Sequence, residues 1–268
     1  MNTRVIAFAN NKGGVAKTTT ALTVGLELAR RGRRVLLADL DEQASLTGSL
    51  IDTAPLRGAY DAFTEAKTPA LMQSCIVPGS EFVHPVPGAD LRPADRRVAA
   101  LDAVLAGKTS AERILLKVLR ALDATRRWDA VLIDCPPKLG IVTQNALTAC
   151  DHLLVPVTPE YMPVSGLVSL QEKCMEIAED LNPGLEIDSI VVTRYDSRTN
   201  LNAAADASLR QTFGDKVCTT RIHNNVSVAE SPQTFSDVIA YAPKSRGAAD
   251  YGALTDELER RLWPEEYE

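Results

Sequence analysis

The sequence predicts a single α/β domain spanning residues 1–268, in which a mostly parallel, twisted β-sheet is flanked by helices on both faces. Short apolar runs rich in β-branched residues alternate with longer segments of helical periodicity, an order typical of βαβ units. A chain of 268 residues, 45% of them hydrophobic, is long enough to bury one full core. Neither an internal repeat nor a low-complexity tract argues for another architecture.

Hydrophobic periodicity places the elements along the chain. The predicted strands are the five apolar runs Val5–Ala9, Val35–Asp39, Ala130–Asp134, His152–Val157 and Ile187–Thr193. The predicted helices are the four segments Lys17–Arg31, Ser110–Arg127, Ser165–Leu181 and Gly247–Leu262. Residues 52–106 lack a regular pattern and contain proline-rich stretches. We expect an irregular insertion there, made of short helices and a strand packed on the same core.

Composition excludes several classes of protein. The five cysteines contain no CxxC pair and the three histidines are far apart, which indicates reduced thiols in a cytoplasmic protein rather than disulfides or a zinc site. No apolar run is long enough to span a bilayer, and the start of the chain runs directly into a predicted strand, so we expect no signal peptide. The formal net charge is −6, so a nucleic-acid contact would require a local basic patch.

The first predicted strand leads through a glycine-bearing turn into a predicted helix. This arrangement points backbone N–H groups and a helix dipole at one spot, which suits a phosphate. The pattern G-x-x-x-x-G-K-[ST] is not met literally, because its glycines fall on Asn11 and Ala16. A lysine and a threonine nevertheless stand at the helix start. The predicted phosphate-binding residues are Lys12, Gly13, Gly14, Val15, Ala16, Lys17, Thr18 and Thr19.

Acidic residues end two of the later predicted strands. Asp39 and Asp41 follow the second strand, and Asp134 ends the third. A P-loop requires carboxylates at such strand tips to hold Mg²⁺ and to orient the attacking water. Because alternate residues of an extended strand share a side, we expect Asp39 and Asp41 to face one site. With Thr18, these carboxylates complete a predicted magnesium site in a P-loop NTPase domain.

Six segments carry a resemblance to a known family, and together they run nearly the length of the chain. They are KGGVAKTTT at 12–20, DLDEQASLTGSL at 39–50, VLIDCPPKLGIVTQNAL at 131–147, VPVTPEYMPVSGL at 155–167, TRYDSRTNL at 193–201 and AESPQTFSDVIAYAPKSRGAADY at 229–251. On these segments the chain resembles the ParA/MinD group of deviant Walker ATPases, and in particular the short, Soj-like ParA partition proteins.

The resemblance implies an ATP-dependent switch with named roles at the phosphates. Lys17 and Thr18 would serve the phosphates and Mg²⁺ of their own protomer, whereas Lys12 would reach the nucleotide of the partner in a face-to-face homodimer. Asp41 would orient the hydrolytic water, Asp134 would hold Mg²⁺ through water, and Asp39 would support the metal shell. The implied catalytic residues are thus Lys12, Lys17 and Asp41.

The resemblance also implies the base site and the partners. The adenine would lie between the end of strand Ile187–Thr193 and the segment 222–224. The implied nucleotide contacts there are Thr193, Arg194, His223 and Asn224. Hydrolysis would be slow and stimulated by a ParB-like protein, and nonspecific double-stranded DNA would be bound in plasmid or chromosome partitioning.

The chain departs from the family pattern at the phosphate loop. Ala16 stands where the family usually has glycine; a positive φ at this position would cost an alanine about 1–2 kcal/mol. Because residue 16 directly precedes the helix-opening lysine, we expect it to be helical already, at no cost. Glu42 stands where the family usually has proline, and it adds a negative charge beside Asp41.

The expected DNA surface is weakly basic. The loop at 222–228 has asparagine and serine where the family has arginines. Residues 187–247 contain seven basic side chains against six acidic ones, so the electrostatic footprint is small. The predicted DNA contacts are Arg198, Arg221, Lys244 and Arg246.

Alternative functions remain at this point. The chain could be an orphan ParA-like ATPase that positions or regulates another cargo with little or no DNA binding. A MinD-like membrane role requires a basic amphipathic C-terminal helix, but the chain ends in an acidic segment interrupted by Pro264. An ATP-dependent ligase would require a second-substrate pocket, which no motif indicates.

Overall fold

A twisted eight-stranded sheet forms the centre of the computed structural model, which describes residues 3–53, 55–65, 68–123, 128–159 and 163–267. The strands are β1 (Arg4–Phe8), β2 (Val35–Asp39), β3 (Val77–Pro78), β4 (Ala89–Arg92), β5 (Ala130–Asp134), β6 (His152–Val157), β7 (Ile187–Tyr195) and β8 (Val217–His223). Their order is β3-β4-β2-β5-β1-β6-β7-β8. Every neighbouring pair is parallel except β3 with β4. The prediction of a mostly parallel α/β sheet is therefore confirmed.

Helices cover both faces of this sheet. Within the described residues the α-helices are α1 (Lys17–Arg30), α2 (Ser45–Gly48), α3 (Ala59–Thr64), α4 (Pro69–Gln73), α5 (Leu101–Leu105), α6 (Ile114–Asp123), α7 (Ile141–Ala149), α8 (Pro163–Asp180), α9 (Asn200–Phe213), α10 (Val226–Glu230), α11 (Val238–Tyr241) and α12 (Arg246–Leu262). Short 3₁₀ turns lie at 79–81, 96–100, 111–113, 214–216, 231–234 and 264–266. In the part of the chain that is described, no helix has the length and apolarity needed to cross a membrane.

Side-chain alternation along the central strands builds two apolar layers. On β1, Ile6 and Phe8 join the layer that contains α1 and α12, whereas Ala7 joins the layer that contains α6, α7 and α8. Close packing of α1 on the sheet requires a glycine, because a Cβ on Gly25 would lie 2.6 Å from Leu37 Cδ2. The helix that follows the phosphate loop is thus held firmly against the sheet.

All five predicted strands are present, with small differences at their ends. The sequence did not reveal β8, because its polar residues, such as Thr219 and Arg221, obscure the apolar alternation. The irregular insertion adds β3 and β4 to the edge of the sheet, together with short helices. Residues 124–127 of one predicted helix and residues 160–162 of the fourth family segment lie outside the described residues.

The sheet topology selects the position of the site. β1 lies between β5 and β6, and the chain moves to opposite sides of β1 in its earlier and later halves. In open α/β sheets, ligands bind beyond the carboxyl ends of the strands at such a switch point. The loop after β1 and the ends of β2 and β5 meet at this edge.

Glu257 of α12 holds the missed strand β8 in place. Its carboxylate accepts hydrogen bonds from the backbone N–H groups of Thr219 and Thr220 at 2.8 and 2.9 Å, and Arg261 lies 2.9 Å away. Burial alone would raise the pKa of Glu257, but the hydrogen bonds from Thr220 and Thr219 outweigh burial and lower the pKa to about 2.

We expect Glu257→Gln to lower the free energy of unfolding by about 1–3 kcal/mol at pH 7, since it removes the charge from the acceptor of the Thr219 and Thr220 N–H groups. A lowered folded-state pKa gives stability that is present above the unfolded-state value of 4.5 and is lost as pH falls towards 2. The difference in free energy of unfolding between Glu257→Gln and the parent, measured by urea unfolding, should therefore be smaller below pH 4.5 than at pH 7. Glu179→Gln on the exposed face of α8 is the control, and equal losses for both variants would contradict the assignment.

Candidate nucleotide-binding site

The loop between β1 and α1 is anchored to the neighbouring strand β6. Asn10 donates from its side-chain nitrogen to the carbonyl of Pro156 at 2.7 Å and accepts from the backbone N–H of Lys12 at 3.0 Å. Gly14 lies in the left-handed region, with φ of 74°. The loop then enters α1 at Lys17, and the first N–H groups of that helix have no acceptor within the helix. These groups and the helix dipole make an anion-binding cradle.

The backbone of Ala16 corrects one expectation. We expected a helical conformation at this position, but Ala16 precedes the helix in the left-handed region, with φ of 62° and ψ of 31°. That expectation was wrong, because the chain needs a left-handed residue to turn from the loop into α1. An alanine there costs about 1–2 kcal/mol relative to its preferred conformation. The loop therefore stores strain that a glycine would relieve.

Lys17 lies inside the cradle and Lys12 lies on its rim. The Lys17 side chain is buried, and its Nζ donates to the carbonyl of Lys12 at 3.1 Å. Burial lowers the pKa of Lys17, while the carboxylate of Asp134 acts in the opposite direction. Lys12 itself is exposed, outside the set of residues that line the adjacent cleft. The two lysines thus have different environments, one facing the site and one facing solvent.

Asp134 is the most unusual group at the site. It is fully buried at the end of β5, and neither carboxylate oxygen makes a hydrogen bond of normal geometry with the described residues. Burial raises its pKa well above the usual range and neighbouring Asp39 adds to the rise, while the Thr18 hydroxyl and Lys17 oppose it. Buried polar atoms without partners are costly. A divalent cation beside Thr18 would satisfy them, so the residues present fit Mg²⁺.

Asp39 pairs with Asp134 in the register of β2 and β5 but is used differently. One carboxylate oxygen accepts from both the backbone N–H and the hydroxyl of Thr47, at 2.9 and 2.8 Å, and the other accepts from the N–H of Asp41 at 3.0 Å. Burial raises the pKa of Asp39 to about 6 despite these bonds. Asp39 therefore holds the loop after β2 in place.

Asp41 faces the cleft from a turn, not from a strand. The strand ends at Asp39, so the alternation of an extended strand does not continue to Asp41. A turn begins at Asp41, whose side chain accepts from the N–H of Gln43 at 3.0 Å and whose carbonyl accepts from Ala44. Asp41 lines the cleft, whereas Asp39 is buried. The two acids therefore divide the tasks of facing the ligand and fixing the loop.

A cleft of about 830 Å³ joins the phosphate cradle to the predicted base site. Its lining contains most of the predicted nucleotide contacts, namely Gly13, Gly14, Ala16, Lys17, Thr18, Thr19, Thr193, Arg194, His223 and Asn224. Val15 is buried, and its carbonyl lies 3.1 Å from the Thr193 hydroxyl, which fixes β7 to the phosphate loop. Arg194 has a left-handed backbone, with φ of 53°. The volume is in the range that accommodates a nucleotide-sized ligand.

His223 is held on both sides at the edge of this cleft. Its Nδ1 lies 2.9 Å from Asp250 Oδ2, and Arg246 Nη2 donates to its Nε2 at 2.7 Å. Because a guanidinium has no acceptor, Nε2 must be unprotonated and the proton lies on Nδ1. Tyr195 packs edge-on against the ring at 5.5 Å. The imidazole thus connects the cleft to Arg246.

Internal partners hold three of the four predicted DNA contacts. Arg198 bonds Asp196 at 2.8 Å although its side chain is 87% exposed, and Arg246 bonds His223. Arg221 bonds the buried carboxylate of Asp206 at 2.6 Å, which Arg210 also contacts. Lys244 is exposed and makes no hydrogen bond or ion pair with the described residues.

Sequence reasoning missed several residues that support the site. They are Thr47, which holds Asp39; Asp250, which holds His223; and Tyr251, which lines the cleft and lies 3.2 Å from the Thr20 hydroxyl. All three residues fall within the quoted family segments, but those segments do not indicate which residues they contact. Asp250 lies 27 residues from His223, and no local pattern links the two.

Comparisons with known proteins agree with this geometry. A family model described as an AAA domain matches residues 3–187. The chromosome-partitioning ATPase Soj of Thermus thermophilus is 40% identical over 259 residues, which cover 97% of this chain and 96% of that protein. This chain belongs to the ParA/MinD family of ATPases. The chromosome partitioning protein ParA of Caulobacter vibrioides is also similar to this ParA-type chain, at 38% identity over 95% of this chain and 93% of that protein.

Solved structures share the same fold. Cobyrinic acid a,c-diamide synthase from Mycobacterium smegmatis, with bound ADP and magnesium, superimposes with a TM-score of 0.79 at 32% identity, covering 96% and 94% of the two chains. The cell division ATPase MinD of Pyrococcus furiosus superimposes with a TM-score of 0.73 at 24% identity, covering 96% and 98%, which supports the fold alone. The ParA-type chain therefore has a P-loop NTPase fold from end to end.

We expect Ala16→Gly to raise the free energy of unfolding by about 0.5–1 kcal/mol, because relief of the left-handed alanine exceeds the greater entropy of the unfolded glycine. Urea unfolding of the nucleotide-free protein measures the change. The control is Ala204→Gly on the exposed face of the regular helix α9, which we expect to lower it by about 0.5–1 kcal/mol. Destabilisation by both substitutions would contradict the strain at residue 16.

Proposed function

We propose that this chain is an ATP-dependent dimerising switch that binds ATP and Mg²⁺ and acts in plasmid or chromosome partitioning. The observation that carries the proposal is the buried, unpartnered carboxylate of Asp134 beside Lys17 and Thr18, at the open end of a phosphate cradle. The similarity to Soj and ParA proteins over nearly the whole chain supports the biological role.

The residues of the site fit a hydrolysis mechanism that depends on position and charge. Bound Mg²⁺ would supply charge neutralisation at the β- and γ-phosphates. Lys17 places a cation in the cradle, Thr18 and Asp134 would hold the metal, and Asp41 would accept a hydrogen bond from the attacking water. Asp39 keeps Asp41 in position through the N–H of Asp41. Water is the nucleophile, so ATP and water give ADP and phosphate.

Lys12 carries the proposal of a dimer. It is exposed at the rim of the cradle and outside the lining of the cleft of its own protomer. A lysine in this position suits the nucleotide of a second copy that faces the site. ATP would thereby join two protomers, and its hydrolysis, slow and stimulated by a ParB-like protein, would separate them.

Nonspecific DNA binding by the ATP-bound dimer completes the leading proposal and would place the protein on the nucleoid. Arg198 and Lys244 are its best-placed contacts, because Lys244 makes no internal bond and Arg198 is held only by an exposed ion pair. Arg221 is committed to the buried Asp206. Dimerisation doubles the number of cations that face the duplex.

A second function is favoured by those same ion pairs. Because Arg198, Arg221 and Arg246 have internal partners, the surface offers few free charges to phosphates. An orphan ParA-like ATPase that positions or regulates another cargo without binding DNA fits this observation.

We expect ATP with Mg²⁺, but not ADP, to convert the parent to a dimer, and we expect Lys12→Ala to stay monomeric and to lose most of its hydrolysis. Light scattering coupled to size-exclusion chromatography measures the molar mass of the parent and of Lys12→Ala in ATP and in ADP. Lys108→Ala replaces another exposed lysine and serves as the control. A parent that stays monomeric in ATP would exclude the sandwich, and normal dimerisation of Lys12→Ala would exclude the trans role.

We expect the ATP-bound parent to bind nonspecific duplex with an affinity that falls as salt rises. Arg198→Ala and Lys244→Ala should each weaken it and reduce the slope of log affinity against log salt by about one per lost contact. Fluorescence anisotropy at several salt concentrations measures both quantities. Lys117→Ala on α6 is the control. The absence of any salt-dependent binding by the parent would leave the orphan ATPase as the function.

A further inference from the structure

One exposed ion pair joins the two loops that border the phosphate end of the cleft. The first loop, residues 40–44, follows β2 and carries Asp41; the second, residues 135–140, follows β5 and Asp134. Lys138 Nζ lies 3.1 and 3.4 Å from the two carboxylate oxygens of Glu42. Among the described residues, no other side-chain hydrogen bond or ion pair joins these loops. Below the pair, the first loop is bonded to the end of β5, where the Leu40 N–H donates to the Asp134 carbonyl at 3.0 Å.

The Lys138 end of this pair is firmly held. The Thr143 hydroxyl donates to the Lys138 carbonyl. Directly after Gly140, at the start of α7, the chain is also held by another element, because the Ile141 N–H donates to Asp102 Oδ1 at 3.0 Å. A Cβ on Gly140 would lie 2.8 Å from the same carboxylate, so the backbone approaches Asp102 closely. Lys138 therefore projects from a loop that α5 and α7 hold in place.

The Glu42 end is adjacent to Asp41 and less restrained. The Gln43 N–H donates to the side chain of Asp41 within the turn. Among the described residues, the side-chain hydrogen bond that ties the turn at Asp41 to the end of β2 is the one from the Asp41 N–H to Asp39 Oδ1. Pro137 of the second loop and Asp41 of the first both line the cleft. The ion pair between Glu42 and Lys138 is a second restraint on this turn, because it ties the turn to the loop 135–140 at the phosphate end of the cleft.

We propose that Glu42 and Lys138 are positioning residues for ATP hydrolysis, and that their ion pair holds the turn carrying Asp41 against the loop that follows Asp134. The inference rests on the proposed ATPase function. Neither side chain belongs to the lining of the nucleotide cleft. The pair acts through Asp41 by restricting where its carboxylate receives the hydrogen bond of the attacking water.

The size of the expected effect follows from the exposure of the pair. Its side chains are 64% and 29% exposed, so the pair contributes little to overall stability and is screened by salt. Positioning of this strength changes kcat by at most about fivefold. Nucleotide affinity should not change, because the cradle at Lys17 and Thr18 is not altered.

The test compares steady-state ATP hydrolysis by the full chain with nucleotide affinity from a fluorescent ATP analogue. We expect Lys138→Met and Glu42→Gln each to lower kcat by about two- to fivefold, with KM and affinity unchanged. The double variant should be no slower than either single variant, since all three lack the same bond. Lys138→Arg should restore the parental kcat. Raised salt should slow the parent towards the variants and leave the variants unchanged.

Two further variants separate the possible outcomes. Lys216→Met breaks an exposed ion pair with Glu186 on the far part of the sheet and should retain the parental kcat. Asp41→Ala should abolish hydrolysis; if the parent and Asp41→Ala are equally inactive, the proposed ATPase function itself fails. If the parent hydrolyses ATP and Asp41→Ala does not, a parental or raised kcat in Lys138→Met overturns the positioning role. Additive losses in the double variant, or no rescue by Lys138→Arg, also overturn it.

Discussion

The buried carboxylate of Asp134 is the constraint on which the site depends. A buried carboxylate at the end of a central strand, with no hydrogen bond of normal geometry to the described residues, is stable only if it is protonated or faces a cation. Lys17 provides part of that charge, but Lys17 is itself buried and bonded to the Lys12 carbonyl. Part of the negative charge of Asp134 is therefore left uncompensated, and a divalent cation near Thr18 would neutralise it. The folded protein thus presents a buried negative charge that favours binding of a cation.

The strained loop after β1 follows from the same requirement. To direct the first N–H groups of α1 at a phosphate next to Asp134, the chain must turn sharply between strand and helix. Gly14 and Ala16 achieve this turn in left-handed conformations, and only the glycine does so without cost. The packing of α1 through Gly25 keeps the helix from shifting to release the strain. Strain at Ala16 is therefore maintained by the core and located where the phosphates bind.

The sequence predicted the parallel sheet, its five central strands and the cluster at the phosphate cradle, because each depends on local periodicity and on a short motif. The sequence-based prediction failed where contacts between residues far apart in the chain determine the local structure. Strand β8 has a mixed polar pattern and is fixed by Glu257, 37 residues from Thr220. Asp39 and Asp41 share a side only in an extended strand, and the bonds from Thr47 stop the strand at Asp39. The conformation of Ala16 depends on how α1 docks, which its neighbours in sequence do not specify.

The arginines near the base site show how the fold limits the use of its surface charge. Asp206 is buried, so removing Arg221 from it would leave a carboxylate with only Arg210, and Arg221 is therefore unable to move to an external phosphate at low cost. Arg246 is in a different position, because its partner is the imidazole of His223, which lines the cleft, and not a buried carboxylate. The fold thus ties Arg221 to a buried carboxylate and Arg246 to a residue that lines the cleft.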